Sequence, residues 1–345
     1  MNLHIDKRHL NIVCDILKNY DYSFFAFGSR VTGKNKEFSD LDIFYFDQIP
    51  NNDILIIEEA FEESDLPFKV DLVDYKKCDI VFQNIILQNY ICIKPSSSLK
   101  KVGENHLGHF VFLPKNLGFN VNEIDGVTVV SSEARTSMFN IAYGLPESPQ
   151  KIQSIGMVKQ VFENKPFAWW IPQDQHDPEF TAALLNAGLI IETVEHAMVR
   201  DLSDIGNLVQ KTSLVIAPVI NSSLLQDFVS VLEEYDSHVL EFYGKMPDEL
   251  FESNERLVVG YSSGKPVAIG ILYISNGSAG IFSIITKEDQ RKKGYGTDIM
   301  IFLMIMAKKN GCNLVTLSSS SSDGERIYES LGFAKVGTFE CFEKL

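Results

Sequence analysis

Basic residues are scarce in this chain. Lys and Arg number 31 against 46 Asp and Glu in 345 residues, a formal net charge of -15. The deficit runs through the first hundred residues and the remainder alike. A broad nucleic-acid surface held by phosphate contacts is therefore excluded. The acidity suits solubility, and also a cationic substrate. Cysteine is sparse too. Cys14, Cys78, Cys92, Cys312 and Cys341 are odd in number, scattered and without CxxC spacing, so neither a disulfide framework nor a zinc site follows. Long apolar runs are missing: the longest, "IMIFLMIMA" at 299–307, falls well short of the roughly 20 residues that span a bilayer. The opening "MNLHIDKRHL" has no apolar signal core. A cytoplasmic protein of a reducing compartment, with no membrane partner, is expected.

What is present is material for real cores: 45% hydrophobic and 11% aromatic residues, in a length that suits two or three domains. Residues 1–20 carry apolar positions at helical spacing, among them Leu10, Val13 and Leu17. "YSFFAFG" and "LDIFYF" read as strands, "NNDILIIEEAFEES" as a helix, "FKVDLVDY" as a third strand, and a helical segment near 78–90 closes the unit. "KPSSSLKK" (94–101) reads as a polar break and first domain boundary. Residues 105–203 are mixed α and β without a defensible chemical motif. Beyond 204 come helices near 222–243, strands about a turn at Ser263-Gly264, the strand "AGIFSIIT", a glycine loop, a long apolar helix, the strand "NLVTLS" and a helix over 323–331. The two units after residue 100 both end in a helix followed by "NAGL" or "SLGF" and a strand, as diverged copies of one fold would.

Two chemical constellations stand out. In the first, Asp40 and Asp42 lie two apart at the start of an apolar strand, so they project to one face. Paired carboxylates repel unless a divalent cation sits between them, which suggests a Mg2+ clamp. Asp71, on a later strand, is the expected third acid, with Asp74 as runner-up. Gly28-Ser29 ends the preceding strand, where a glycine lets backbone approach phosphate. The segment "GSRVTGKNKEFSDLDI" resembles the GS-x10-DxD signature of the DNA polymerase beta superfamily, and at this size its minimal nucleotidyltransferases. The resemblance covers about residues 8–95. It implies ATP and Mg2+ as cofactors, Asp40, Asp42 and Asp71 as catalytic metal ligands, and Gly28, Ser29 and Arg30 at the nucleotide.

In the second, Arg291-x-x-Gly294-x-Gly296 lies between a strand and a helix. Main-chain N–H groups and the helix N-terminus there suit a pyrophosphate, and Lys292 and Lys293 add positive charge. Followed by "NLVTLS" and "ERIYESLGF", this is similar to the GNAT acetyltransferases. The resemblance implies that residues 291–297 (Arg291, Lys292, Lys293, Gly294, Tyr295, Gly296, Thr297) bind acetyl-CoA. It further implies that Ile284 and Ile285 offer backbone to the pantetheine arm and that Tyr328 protonates the departing thiolate. Where many members carry Asn before the last helix, this chain has "SSSSSDG", which reads as a solvated loop. No general base is visible; Asp236, His238 and Glu241 read as ordinary exposed residues. "PFAWWIPQDQHDPEFTAALLNAGL" resembles the N-terminal half of double-lobed GNAT proteins. Lacking any RxxGxG, residues 105–203 then form a degenerate lobe that shapes the acceptor site, with Trp169 and Trp170 as candidate linings.

The expected class is α+β: a nucleotidyltransferase domain with a mixed sheet flanked by helices (1–97), a degenerate GNAT-like lobe (98–203) and a catalytic GNAT lobe (204–345). Three readings of the fusion stay open. The first domain regulates the acetyltransferase as an antitoxin would a toxin, the acetyl acceptor being the amine of an aminoacyl-tRNA, a protein or a small molecule. The protein modifies a cationic small molecule of the aminoglycoside kind. Or its sites only bind nucleotide and acetyl-CoA.

Overall fold

The computed structural model describes residues 3–344, apart from the side chain of Asn207. The expected N-terminal helix forms as α1 (Lys7–Leu17), capped by the Asp6 carboxylate on the Arg8 N–H and burying Val13 and Leu17; residues 1 and 2 of that expectation lie outside the described residues. There follow β1 (Phe24–Phe27), the single turn α2 (Ser29–Thr32), β2 (Leu41–Tyr45), α3 (Asn51–Glu62), β3 (Val70–Asp74), α4 (Ile80–Gln88) and β4 (Tyr90–Lys94). The sheet runs β3-β2-β1-β4, with β2 and β3 parallel and β1 antiparallel to both its neighbours. β1 is buried on both faces, which explains its unbroken "FFAF". One face packs aliphatics with α1 and α3 around Val13, Ile43 and Ile57. The other is aromatic, with Phe25, Phe44, Phe46, Tyr75 and Tyr90 in ring contact.

That aromatic face has a partner. Its core is continuous with Leu99, Val102, Tyr143, Ala168 and Phe339 from the rest of the chain, and Tyr90 stacks on His176 at 3.9 Å. The stretch expected to be a polar break is not one. Residues 94–101 end β4 and begin the long helix α5 (Ser97–Asn116). Ser96 caps that helix, accepting from the Leu99 N–H at 3.1 Å, and its hydroxyl meets that of Ser23 at 2.9 Å. The serines are thus a helix start. The strand β4 also went unforeseen.

The remaining elements are β5 (Asn120–Ile124), β6 (Val127–Ser131), β7 (Asn140–Tyr143), α6 (Lys151–Phe162), β8 (Phe167–Pro172), α7 (Pro178–Asn186), β9 (Ile190–Asp201), β10 (Val215–Pro218), α8 (Ser222–Leu232), α9 (Val239–Tyr243), β11 (Glu255–Ser262), β12 (Lys265–Ser275), β13 (Ser278–Thr286), α10 (Tyr295–Lys309), β14 (Leu314–Ser319), α11 (Ser322–Ser330) and β15 (Ala334–Lys344). Among the described residues these strands form one eleven-stranded sheet, β10-β11-β12-β13-β14-β9-β15-β8-β7-β6-β5. The order contains one motif twice. β5-β6-β7 pair antiparallel, α6 crosses to parallel β8, and α7 leads to β9. β11-β12-β13, α10, β14, α11 and β15 repeat it. Gly188 and Gly332, each following the last helix of its copy, turn in the left-handed region at φ 87 and 85, as a glycine beyond a helix end should. The two terminal strands are exchanged: β9 lies between β14 and β15, and β15 between β9 and β8.

α10 holds the C-terminal lobe by burying Ile299, Leu303, Met304 and Ala307 against the sheet, each large side chain worth about 1.5–3 kcal/mol. α8 and α9 cover the opposite face around Phe228 and Phe242. Among the described residues no helix is long and apolar enough to cross a membrane.

Candidate active sites

The first site sits at one end of the small sheet. Register places Phe27 opposite Asp42, and Asp42 beside Asp71 on the adjacent parallel strand. Asp40 stands just before β2, more exposed than Asp42. Burial pushes the Asp42 carboxyl above the ordinary range, and the charges of Asp71 and then Asp40 push it further. Gly28 adopts φ 79, ψ -149, and a Cβ there would lie 2.5 Å from Asp42 Oδ2. Glycine is therefore required twice, by conformation and by the approach of the carboxylate. Ser29 follows, half-buried, as the first residue of α2.

Three acids thus share one locale, and hard carboxylate oxygens are the donors a Mg2+ ion takes. They are not drawn into a ligand cage: among the described residues no three His, Cys, Asp or Glu side chains are gathered closely enough to hold a metal. The Lys69 ammonium engages Asp71 at 2.5 Å. Arg30 departs from expectation. Its guanidinium is buried over the Phe68 ring and donates to the carbonyls of His4, Glu37 and Ser39. It clamps the loop that leads into Asp40, its donors taken up by main-chain carbonyls. Asp74 caps the turn after β3 and pairs with Lys77 at 3.0 Å, a structural role.

The second site opens where β13 and β14 part. They pair only from Ser278 to Gly280 against Leu314 to Thr316. Beyond, β13 bulges, with Ser283 at φ 50 and its register against β12 shifted. The gap leads into a cavity of about 480 Å³ lined by Ile284, Ile285, Ser318 to Ser321 and Tyr328 on one side. Beyond the end of β13, Lys292 (φ 62) and Gly294 (φ 85) turn the chain into α10, whose first N–H groups have no intrahelical acceptor. Buried Asp298 steadies this turn by accepting from the Lys211 and Thr212 N–H groups at 2.7 and 2.9 Å. Gly296 lies against Ile284 and Thr286, and Thr297 follows, half-buried, in the first turn of α10. The side chains go elsewhere: Arg291 donates to Tyr235 Oη at 2.5 Å, Lys293 to Gln290, and Tyr295 meets Ser262 at 2.9 Å. The loop offers backbone, with its cations alongside.

Tyr328 faces this cavity while also packing near Phe333. Burial, then the charge of Glu195, pushes its hydroxyl up to about 12. Glu195 is a residue that sequence reasoning missed. It comes from β9, the exchanged strand of the middle lobe, lines the same cavity, and bonds Ser318. Burial raises its carboxyl above the usual range. The serine run is wall and cap, since Ser318 and Ser319 belong to β14 and Ser321 caps α11. The middle lobe does shape the far wall, but through one tryptophan. Trp170 lines the cavity; Trp169 is core, packed on Phe180 with its indole N–H on the Gly144 carbonyl. α5 adds His106, His109 and Phe110. Burial pushes His106 down to about 3, so it is neutral. His109 Nδ1 lies 3.2 Å from an oxygen of Glu255, whose side chain is fully buried.

Comparison with known proteins finds a family match toward each end of the chain. The family described as "Polymerase beta, Nucleotidyltransferase" matches residues 13–98, and "Acetyltransferase (GNAT) domain" matches residues 253–335. A probable protein adenylyltransferase, MntA of Haemophilus influenzae, is 42% identical over 96 residues, which are 27% of this chain and 84% of that protein. Among solved structures, a GCN5-related N-acetyltransferase from Kribbella flavida aligns with TM-score 0.56 at 15% identity, covering 71% of this chain and 94% of its own. A functionally unknown conserved protein from Staphylococcus epidermidis aligns with TM-score 0.50 at 16% identity, covering 66% and 94%; at such identities these two likenesses concern the fold alone. Through its N-terminal domain the chain belongs to the polymerase beta nucleotidyltransferases, and it joins that domain to a GNAT acetyltransferase region folded as two lobes with exchanged strands.

Proposed function

We propose that the C-terminal lobe transfers acetyl from acetyl-CoA to an amine, and that the N-terminal domain transfers AMP from ATP to a hydroxyl. The observation that carries the first half is the parting of β13 from β14 over a cavity that holds both Tyr328 and Glu195. In this reading the N–H groups of residues 292–296 take the pyrophosphate, and the backbone of Ile284 and Ile285 takes the pantetheine arm. The attacking nitrogen gives its proton to the Glu195 carboxylate as the C–N bond forms. The C–S bond then breaks with the thiolate against the Tyr328 hydroxyl. In the first domain Gly28 and Ser29 would receive phosphate oxygens, and Asp40, Asp42 and Asp71 would hold Mg2+, which when bound supplies charge neutralisation for phosphoryl chemistry. Both activities are assigned to the cytoplasm, in keeping with five free thiols.

A regulatory link in cis, of the antitoxin and toxin kind, finds support in α5. That helix leaves the edge strand of the first domain and carries His106 and His109 into the acetyl-transfer cavity. Two assays test the whole reading. Thiol release from acetyl-CoA over an amine panel tests transfer. Intact mass after incubation with ATP and Mg2+, against an Asp40→Ala/Asp42→Ala double variant, tests adenylylation. An AMP adduct on residues 100–345 in the wild type alone supports regulation in cis; its absence there, with labelling of added hydroxyl compounds, removes it.

A further inference from the structure

The far end of the acetyl-transfer cavity holds an unusually placed acid. Glu255 opens β11 with its side chain fully buried. One carboxylate oxygen meets His109 at 3.2 Å; the other, Oε1, has no partner. A single imidazole nitrogen cannot serve both oxygens. A buried carboxylate oxygen left bare costs free energy that an incoming cation would offset. The surroundings reinforce this. Among the described residues no Lys or Arg lines the cavity, whereas a second carboxyl, Glu195, does. Phe110, Phe139, Trp170, Phe242, Tyr243 and Phe282 form its walls, and His109 lies flat on Phe282 at 4.0 Å. Aromatic faces over a carboxylate make a seat for an ammonium group.

Position then sets the shape of the ligand. Glu255 is on β11, two strands from β13 and three from β14, between which the thioester would lie. At the ordinary strand spacing that is roughly 10–14 Å. The volume, about 480 Å³, leaves room beside a pantetheine end for a slender molecule.

Resting on the acetyl-transfer reading, we propose that the acceptor is a small linear amine with a second positive charge. One nitrogen is presented near Tyr328 and Glu195 for acetylation, and the other is held as an ammonium by Glu255 and the aromatic walls. The reaction balances as ordinary acyl transfer: one N–H proton leaves, a C–N bond replaces C–S, and the distal ammonium is unchanged.

The test is calorimetric binding to the full chain loaded with coenzyme A. The probes are linear diamines from 1,4-diaminobutane to 1,10-diaminodecane, each against the monoamine and the amino acid of equal length. Expected is binding of at least one diamine more than about tenfold tighter than its matched monoamine, the size of one desolvated charge contact. The matched amino acid should bind worse than either, and the preference should vanish in Glu255→Gln. Equal binding of diamine and monoamine at every length overturns the proposal, as does a preference that survives Glu255→Gln. Should that variant fail to fold, the wild-type ranking of diamine, monoamine and amino acid decides alone. Thiol release with the same compounds separates the two readings. Glu255-dependent diamine binding without turnover sinks acetyl transfer and keeps the site. Turnover on amines without diamine preference does the reverse.

Discussion

Replacing Tyr328 by Phe removes one oxygen from the cavity wall and leaves the ring beside Phe333 in place. The size of the loss can be worked out. The hydroxyl is pushed up to about 12, whereas an ordinary thiol titrates near 8.5. Full proton transfer from this tyrosine to a thiolate is therefore uphill by about 3.5 pKa units, or roughly 5 kcal/mol. A hydrogen bond from the intact hydroxyl to the leaving thiolate is the cheaper service, worth about 1.5–3 kcal/mol as a bond to a charged group. Tyr328→Phe should thus lower kcat by about 10- to 150-fold, less than the loss of a full general acid. Its Kd for acetyl-CoA should hold. The elevated hydroxyl also stays protonated across the working range, so no alkaline limb of the rate profile below about pH 10 should belong to it. The assay is thiol release from acetyl-CoA at pH 6 to 10, with calorimetric acetyl-CoA binding alongside. A variant within about threefold of wild type would refute the reasoning, since even a weak charged hydrogen bond exceeds that. So would an alkaline limb in that range that disappears with the hydroxyl.

Glu195→Gln should abolish the acid limb of the same profile. That limb should lie above the usual carboxylate range because burial raises the group, and rate should rise with pH as it ionises; an unchanged limb in the variant assigns the base elsewhere. Gly28→Ala puts a Cβ 2.5 Å from Asp42 Oδ2 in a backbone region suited to glycine, at about 1–3 kcal/mol. It should depress nucleotidyl transfer while acetyl transfer persists, and parallel loss of both activities counts against separate sites. Asp298→Ala removes the buried carboxylate that accepts from the part-buried Lys211 and Thr212 N–H groups beside Gly294. Denaturant unfolding should register about 1–3 kcal/mol with weaker acetyl-CoA binding, and an unchanged Kd would divorce that buttress from the loop.

The first domain was legible because its chemistry and its secondary structure are written in the same residues. Gly28, Asp42 and Asp71 interrupt apolar runs that can only be strands, and the register brings those strands together. The work of the Arg30 side chain is not legible: a cation beside Gly-Ser looks like a phosphate ligand until its donors are seen on three carbonyls. Ser96 to Ser98 were read as a break because serine serves helix starts and loops alike. Glu195 carried no signal at all. It sits in a strand whose alternation marks it as ordinary, and it becomes a cavity residue only because β9 is inserted beside β14. Strand exchange is a property of pairing, and no local pattern encodes it. Glu255 was hidden likewise, its burial decided by helix α5 arriving from a distant part of the chain.

The exchange of β9 and β15 also has a schedule. β15 follows β9 and β8 by more than a hundred residues along the chain, yet its place lies between them. At roughly 5–20 residues per second, the stretch from the end of β9 at 201 to the start of β15 at 334 takes about 7–27 seconds to make, and the slot between β9 and β8 stays unfilled for that time. Both its borders are unpaired strand edges, the kind that recruit foreign strands. The cavity wall that Glu195 and Trp170 supply comes from the two borders of that slot, so this wall is set only once β15 has been placed.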